Sequence, residues 1–310
     1  MQPWRPSRSR AARSRRLAAA ILAPALLGAA APDGAARGSG PAWPEPDGTL
    51  VLVRPFGRSE IALRLSRRVA GAVDTLTWDG VTFIADTESE DALQARVVFE
   101  RAAACRAASE AGGPQNGSGQ PASRRLRSLR SGRSWAETET RMAPECPASP
   151  GTGAAPDVIL HKRVALGLPG LGNAIEVQAS FVLPERAEAV RFEALAASVP
   201  AEFSEAWSFD PGTGALTRLD SALRDQPRPV ILAMPEGSHA VAVWSPGPPA
   251  QEAGAPRPGF TAQPFEGATR LGCAFRVAQA AAGAHDFACY ALVGSLSDVR
   301  GALRSLTSPE

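Results

Sequence analysis

From residue 50 onward the chain shows period-two alternation of apolar and polar side chains and short apolar runs, and this pattern limits what it can become. The cleanest run is Ile175-Glu-Val-Gln-Ala-Ser-Phe-Val-Leu183, apolar at every odd position and ended by Pro184. Such a pattern describes an extended strand with one side in a core and the other toward solvent. Similar runs are Leu50-Val-Leu-Val53, Ile61-Ala-Leu-Arg-Leu65, Leu93 to Phe99, Val158 to Leu166, Val190 to Leu195, Trp207 to Phe209 and Leu216 to Leu219. Asp79-Gly80 joins Val73–Trp78 to Val81–Ile84 as a hairpin turn, because both turn residues can adopt positive φ. Glu236-Gly237 does the same between Val230–Met234 and His239–Trp244. Only Leu296 to Leu306 reads as a helix, with Ser295 or Ser297 as N-cap and Leu296, Val299, Leu303 and Leu306 on one face. Many strands and one short C-terminal helix define a mainly β chain, a large antiparallel sandwich or barrel.

The first thirty residues have a different character. Arg5, Arg8, Arg10, Arg13, Arg15 and Arg16 precede the apolar run Leu17 to Leu27 and the small residues Gly28 to Ala31, the three-part pattern of a cleaved secretory signal. Cleavage is expected after Ala30, within a window reaching Ala36. The arginine pair is also compatible with twin-arginine export. The apolar run is too short, and interrupted by Pro24, to span about 30 Å of hydrocarbon, so no membrane span is expected in the mature chain. The expected organisation is a signal over 1–30, a flexible leader over 31–47 and one β domain over 48–310. Without the six leader arginines, 27 basic side chains face 31 acidic ones. That balance excludes a generic nucleic-acid binder, which neutralises phosphates with an excess of cations. Location is expected to be periplasmic or extracellular.

Within the domain, residues 106–134 break the pattern. Gly112-Gly-Pro-Gln-Asn-Gly-Ser-Gly-Gln-Pro121 has nothing to pack, and Arg124 to Arg133 is a basic run. This segment reads as a solvated, disordered insertion, with a patch for anionic glycans as the sharper alternative. Lysine occurs once, at Lys162.

The four cysteines, Cys105, Cys146, Cys273 and Cys289, are an even set in an exported chain and favour two disulfides. The runs containing Cys273 and Cys289 fold back about Ala281, which predicts that the two face each other across a hairpin. Cys105 and Cys146 would then close the insertion, where a crosslink gains most in chain entropy. No C-x-x-C pair is present, and no zinc site is expected.

Phe56-Gly-Arg-Ser-Glu-Ile61 with Arg68 to Ile84, and later Arg191-Phe-Glu-Ala-Leu195, Pro200-Ala-Glu-Phe-Ser204, Trp207 to Gly214 and Leu292 to Val299, resemble pieces of bacterial secreted proteins of the galactose mutarotase-like β-sandwich superfamily. The resemblance implies a supersandwich fold and a saccharide ligand. It departs after the first hairpin, where a polar segment like Asp-His-Gly-Arg-Gln-Leu-Gln is replaced by Glu88-Ser-Glu-Asp-Ala-Leu-Gln94.

Anomeric chemistry needs an acid and a base facing each other. His161 or His239 with Glu193 or Glu176 is the available pairing, although His239 follows a tight turn, where a surface position is expected. Glu193, Glu202, Glu205 and Asp210 are dense enough for a two-carboxylate glycosidase. Trp78, Trp135, Trp207, Trp244 and Tyr290 lie on strands, where a ring can stack on a sugar or pack in the core. No nucleophile elbow, P-loop, dinucleotide fingerprint or metal motif occurs. No cofactor and no metal are therefore expected. The expected function is saccharide binding or sensing, with His161, Glu193, Glu202, Trp207 and His239 as ligand-binding candidates. The alternatives are a carbohydrate-active enzyme, epimerase or lyase-like, using a His and a Glu, and a non-catalytic envelope component.

Overall fold

The alternating run centred on residue 179 lies within a thirteen-residue strand, Leu171–Leu183. Ile175, Val177, Ala179, Phe181 and Leu183 are buried in it, while Glu176 and Gln178 face outward. The structure, a computed structural model, describes residues 41–85, 92–102, 106–112, 125–145, 157–219, 223–246, 257–265 and 267–307. Gly40 to Ser308 forms one compact unit.

Three antiparallel sheets make up this unit. The first contains β1 (Thr49–Phe56), β2 (Ser59–Ser66), β3 (Val73–Trp78) and β4 (Val81–Thr82), paired in that order. The chain then alternates between two larger sheets through β5 (Gln94–Phe99), β6 (Ala107–Ser109), β7 (Leu126–Ser131), β8 (Trp135–Arg141), β9 (Ala143–Glu145), β10 (Ile159–Leu168), β11 (Leu171–Leu183) and β12 (Ala187–Pro200). It continues through β13 (Glu205–Phe209), β14 (Leu216–Arg218), β15 (Leu223–Gln226), β16 (Val230–Ala233), β17 (Ala240–Trp244), β18 (Pro258–Phe265), β19 (Ala268–Ala280) and β20 (Gly283–Gly294). A C-terminal helix, α1, follows over Leu296–Thr307. The nine-stranded sheet has the order β14-β13-β16-β17-β20-β11-β10-β8-β7, and the seven-stranded sheet the order β15-β18-β19-β12-β5-β6-β9.

The two larger sheets share one core. Phe181 of β11 packs on Phe192 of β12 at 5.2 Å between ring centroids. Leu52, Ile61, Leu63, Leu65 and Leu76 of the small sheet join the same apolar cluster. Each such side chain, fully buried, stabilises the fold by about 1.5–3 kcal/mol. Asp79 and Gly80 take φ of 52° and 77°, the two positive values expected of the β3–β4 turn. Helix α1 covers part of the outer face of the nine-stranded sheet, setting Val299, Ala302 and Leu303 on Ala174, Ile231, Ala242 and Leu292. Ser295 Oγ accepts the Asp298 N–H at 3.2 Å and the Asp298 carboxylate accepts the Ser295 N–H at 2.9 Å, a reciprocal cap.

Several expectations are corrected here. Cys273 and Cys289 are disulfide-bonded, with Cα atoms 6.4 Å apart, but not across a hairpin. β19 and β20 belong to different sheets, so the bond crosses the sandwich. The stretch 106–134 is not wholly a solvated insertion, because β6 and β7 lie in it and pair with β5, β9 and β8. Register with neighbouring strands outweighs its weak local pattern. Trp43, within the stretch expected as a flexible leader over 31–47, already packs against the core. The expected signal over 1–30 and the expected pair Cys105 and Cys146 lie outside the described residues. Among the described residues, no helix is long and apolar enough to cross a membrane.

Candidate functional site

The C-terminal end of β12 borders the small sheet, and between them lies a cleft of about 850 Å³. One wall follows from the β3–β4 hairpin. Past β4 the chain runs beside β12, where the Ala85 N–H donates to the Ser198 carbonyl at 2.7 Å. Phe83 packs on Phe203 at 5.1 Å, fixing the turn after β12 against that segment. The apolar part of the lining includes Val81, Ile84, Phe203 and Met234, and the polar part is Arg64, Arg68, Asp74, Thr75, Thr82 and Glu202.

Asp74 has an unusual origin. Strict alternation with Leu76 and Trp78 places its side chain on the apolar side of β3. A bulge lies there, since Arg64 pairs with Thr75 while the next residue, Leu65, pairs with Val73. Bulges re-aim side chains. The Asp74 side chain is 2% exposed, and Arg64 Nε donates to its Oδ1 at 2.8 Å while Arg68 Nη2 donates to Oδ2 at 3.4 Å. A buried carboxylate requires such partners. Sequence reasoning missed Arg64, Arg68 and Asp74, and the one available signal was an acidic residue in phase with Leu76 and Trp78.

Of the residues singled out from the sequence, Glu202 lines the cleft. His239 lies behind its wall, with its ring 6.4 Å from Phe83 and 5.3 Å from Trp78. Contrary to the expected surface position it is 8% exposed, because the β3–β4 hairpin packs over it. Its Nδ1 lies 3.1 Å from Ser238 Oγ and its Nε2 3.9 Å from Asp79 Oδ2.

Glu193 lies on the outer face of the seven-stranded sheet. A bulge between Glu193 and Leu195 keeps Glu193 and Ser198 on that face while Ala194, Leu195, Ala197 and Val199 join the core. The carboxylate is 3% exposed; Arg191 Nη1 donates to one oxygen and Arg270 Nη2 to the other at 3.0 Å. Arg191 Nη2 also donates to Thr261 Oγ1 at 3.3 Å, and Arg96 is the cross-strand neighbour of Glu193. With both oxygens held by guanidinium groups, this carboxylate is an anchor for arginines rather than a base aimed at solvent.

His161 is exposed on the outer face of the nine-stranded sheet, opposite Glu139 and Ser180. The sandwich core therefore separates it from Glu193. It shares a face with Glu176, but four residues along the strands, about 13 Å, lie between them. Trp207 packs in the cluster around α1, with the Arg218 guanidinium 5.9 Å from its ring centroid. Asp210 caps its own turn. The Thr213 and Gly212 N–H groups donate to it at 3.0 and 2.9 Å, and these bonds, with Arg228 beside them, hold its carboxyl below the usual aspartate range. Among the described residues, no three His, Cys, Asp or Glu gather as a metal site.

No protein-family model matches the chain, and no curated protein matches it. Similar solved structures include a galactose mutarotase-like protein from Lactobacillus casei, at 11% identity and a TM-score of 0.45, covering 79% of this chain and 100% of that one. The Slr1438 protein from Synechocystis is 10% identical with a TM-score of 0.45, covering 79% of this chain and 96% of that one. The GH36 alpha-galactosidase AgaB from Geobacillus stearothermophilus is 8% identical with a TM-score of 0.46, covering 83% of this chain and 42% of that one. With TM-scores below 0.5 and identities of 8–11%, the functional reading rests on the residues of this chain.

Proposed function

We propose that the chain is an exported saccharide-binding protein whose ligand sits in the cleft beside β12. The observation that carries this reading is the make-up of the lining: an apolar floor of Ile84, Phe203 and Met234 beneath a rim of hydroxyl, guanidinium and carboxylate groups. A pyranose ring has the matching division, with C–H groups on its faces and hydroxyls at its edge. The volume lies within the range of ligand sites, about 300–1,000 Å³. Export is supported by the three-part N-terminal pattern and by the Cys273–Cys289 bond, which needs an oxidising compartment.

A second reading has one specific support. Glu202 is an exposed carboxylate in the cleft, available as one of the two groups a glycosidase uses, while Asp74 beside it is held at both oxygens by Arg64 and Arg68 and serves as an anchor for them. Turnover of an aryl glycoside, abolished by Glu202→Gln, would favour it.

The test is a thermal-shift screen of the protein against neutral and acidic mono- and disaccharides. A ligand at 100 times its Kd stabilises the fold by about 2.7 kcal/mol. Glu202 is exposed, so Glu202→Ala is expected to leave the Tm of the free protein unchanged and to weaken the ligand about tenfold, roughly 1.4 kcal/mol. A flat screen on folded protein would overturn the reading and leave the envelope-component alternative ahead.

A further inference from the structure

The outer face of the nine-stranded sheet, at the edge of the area covered by α1, carries one row of residues in continuous cross-strand register, with Trp244 at one end packed against the cluster around α1. Trp135 of β8 pairs with Ala165 of β10, Ala165 with Glu176 of β11, Glu176 with Tyr290 of β20, and Tyr290 with Trp244 of β17. All five are partly exposed. Cross-strand partners share a face, so the row spans four strand spacings, about 19 Å. Its ends are aromatic. Trp244 and Tyr290 lie 5.3 Å apart at one end, and the Arg163 guanidinium sits 4.5 Å from the Trp135 ring centroid at the other. Between them Ala165 is small and partly exposed, and beside it the Glu176 Oε1 accepts the Tyr290 hydroxyl proton at 3.0 Å.

We propose that this row is a binding platform for a neutral oligosaccharide of several units, laid across the strands. The strand spacing is close to the repeat of one pyranose along an extended chain, so Trp244 and Tyr290 can stack on a sugar face at one end, Ala165 clears the middle, and the Trp135 indole with Arg163 over it meets the far unit with its edge and its guanidinium. The neighbouring row is polar and mostly self-neutralised. Arg163 Nη1 donates to Glu137 at 2.7 Å, Arg130 Nη2 lies 3.0 Å from the same carboxylate, and Gln178 is exposed beside them. Such a border offers donors and acceptors to hydroxyl groups and little net charge to an anionic polymer. An apolar protein partner would need a broad patch, whereas this one is a single residue wide between a polar row and α1. Tryptophans and a tyrosine supply this kind of surface because they combine a flat apolar face with a polar edge. The platform is separate from the cleft and stands without it.

The test is fluorescence titration and isothermal calorimetry of the full protein with cello-, malto- and xylohexaose and the matching disaccharides. One hexasaccharide is expected to bind, at least tenfold tighter than its disaccharide, since only the longer chain reaches both ends. Trp244→Ala and Trp135→Ala are each expected to weaken the hexasaccharide at least tenfold. Ala165→Arg sets a long side chain on the partly exposed middle of the row without removing a core side chain, and is expected to abolish binding while leaving the Tm within a few degrees. Glu202→Ala is expected to have no effect on the hexasaccharide, which separates the platform from the cleft. Unchanged hexasaccharide binding in Ala165→Arg and both tryptophan variants overturns the proposal, as does the absence of any hexasaccharide binding. A dimer dissolved by Ala165→Arg overturns it too, by assigning the row to a second copy of the chain.

Discussion

Lys162 and Glu110 meet inside the sandwich, where their side chains are 1% and 0% exposed. Lys162 points inward because it lies in phase with Leu160, Val164 and Leu166 on β10, and Glu110 follows β6 in the facing sheet. The second Glu110 oxygen accepts the Ala95 N–H at 3.0 Å, while Arg125 donates to the Glu110 and Ala111 carbonyls at 2.8 and 2.6 Å. Burial lowers the Arg125 pKa, with the Glu110 carboxylate opposing the shift. Removing one partner strands a buried charge, so Glu110→Gln is expected to cost about 3–5 kcal/mol in urea unfolding. The double change Glu110→Leu with Lys162→Met should be far milder, because burying two charges offsets much of what their attraction returns. A lone lysine among many arginines is visible in the sequence, but its burial is not. His239 was opaque for the same reason, since Trp78, Phe83 and Asp79 around it come from a hairpin distant in the chain, whereas Asp74 was opaque because a bulge sets it beside the nearby Arg64 and Arg68.

At the level of elements, local chemistry specified much of the outcome. The Asp79-Gly80 turn, the strand centred on Ala179 and the helix after Ser295 follow from positive-φ residues, period-two alternation and a capping serine. Ser295→Ala removes the acceptor for the Asp298 N–H and is expected to cost about 1 kcal/mol, read from the denaturation midpoint at constant m-value. What remained hidden was which strand lies beside which. β6 and β7 sit in a segment whose Gly, Ser and Arg content argues against strands, and register alone makes them part of the sheets. The bulges in β2–β3 and β12, which place Asp74 and Glu193, leave no local signature either. Glu202 was legible as a candidate, but its cleft partners Arg64 and Arg68 were not, being more than 130 positions away.

For the molecule as a whole, the disulfide couples the two large sheets. Cys273 and Cys289 are separated by 16 positions, and closing a loop of that size contributes about 3 kcal/mol in the chain-entropy model. The paired change Cys273→Ala with Cys289→Ala is therefore expected to lower the calorimetric Tm by roughly 6–12 °C. The pairing was legible from the parity and placement of the cysteines, but its geometry was not. Strands adjacent in sequence usually pair, and here the chain instead crosses from one layer to the other between β19 and β20.

The interior position of Lys162 has a further consequence for the exterior. The chain has no other lysine, so its folded surface carries its positive side-chain charge on guanidinium groups and presents no side-chain amine. Amine-directed acylating reagents then reach no side chain of this sequence until the two layers part. Modification of Lys162 becomes a single-site clock for the opening of the sandwich, built into the native sequence.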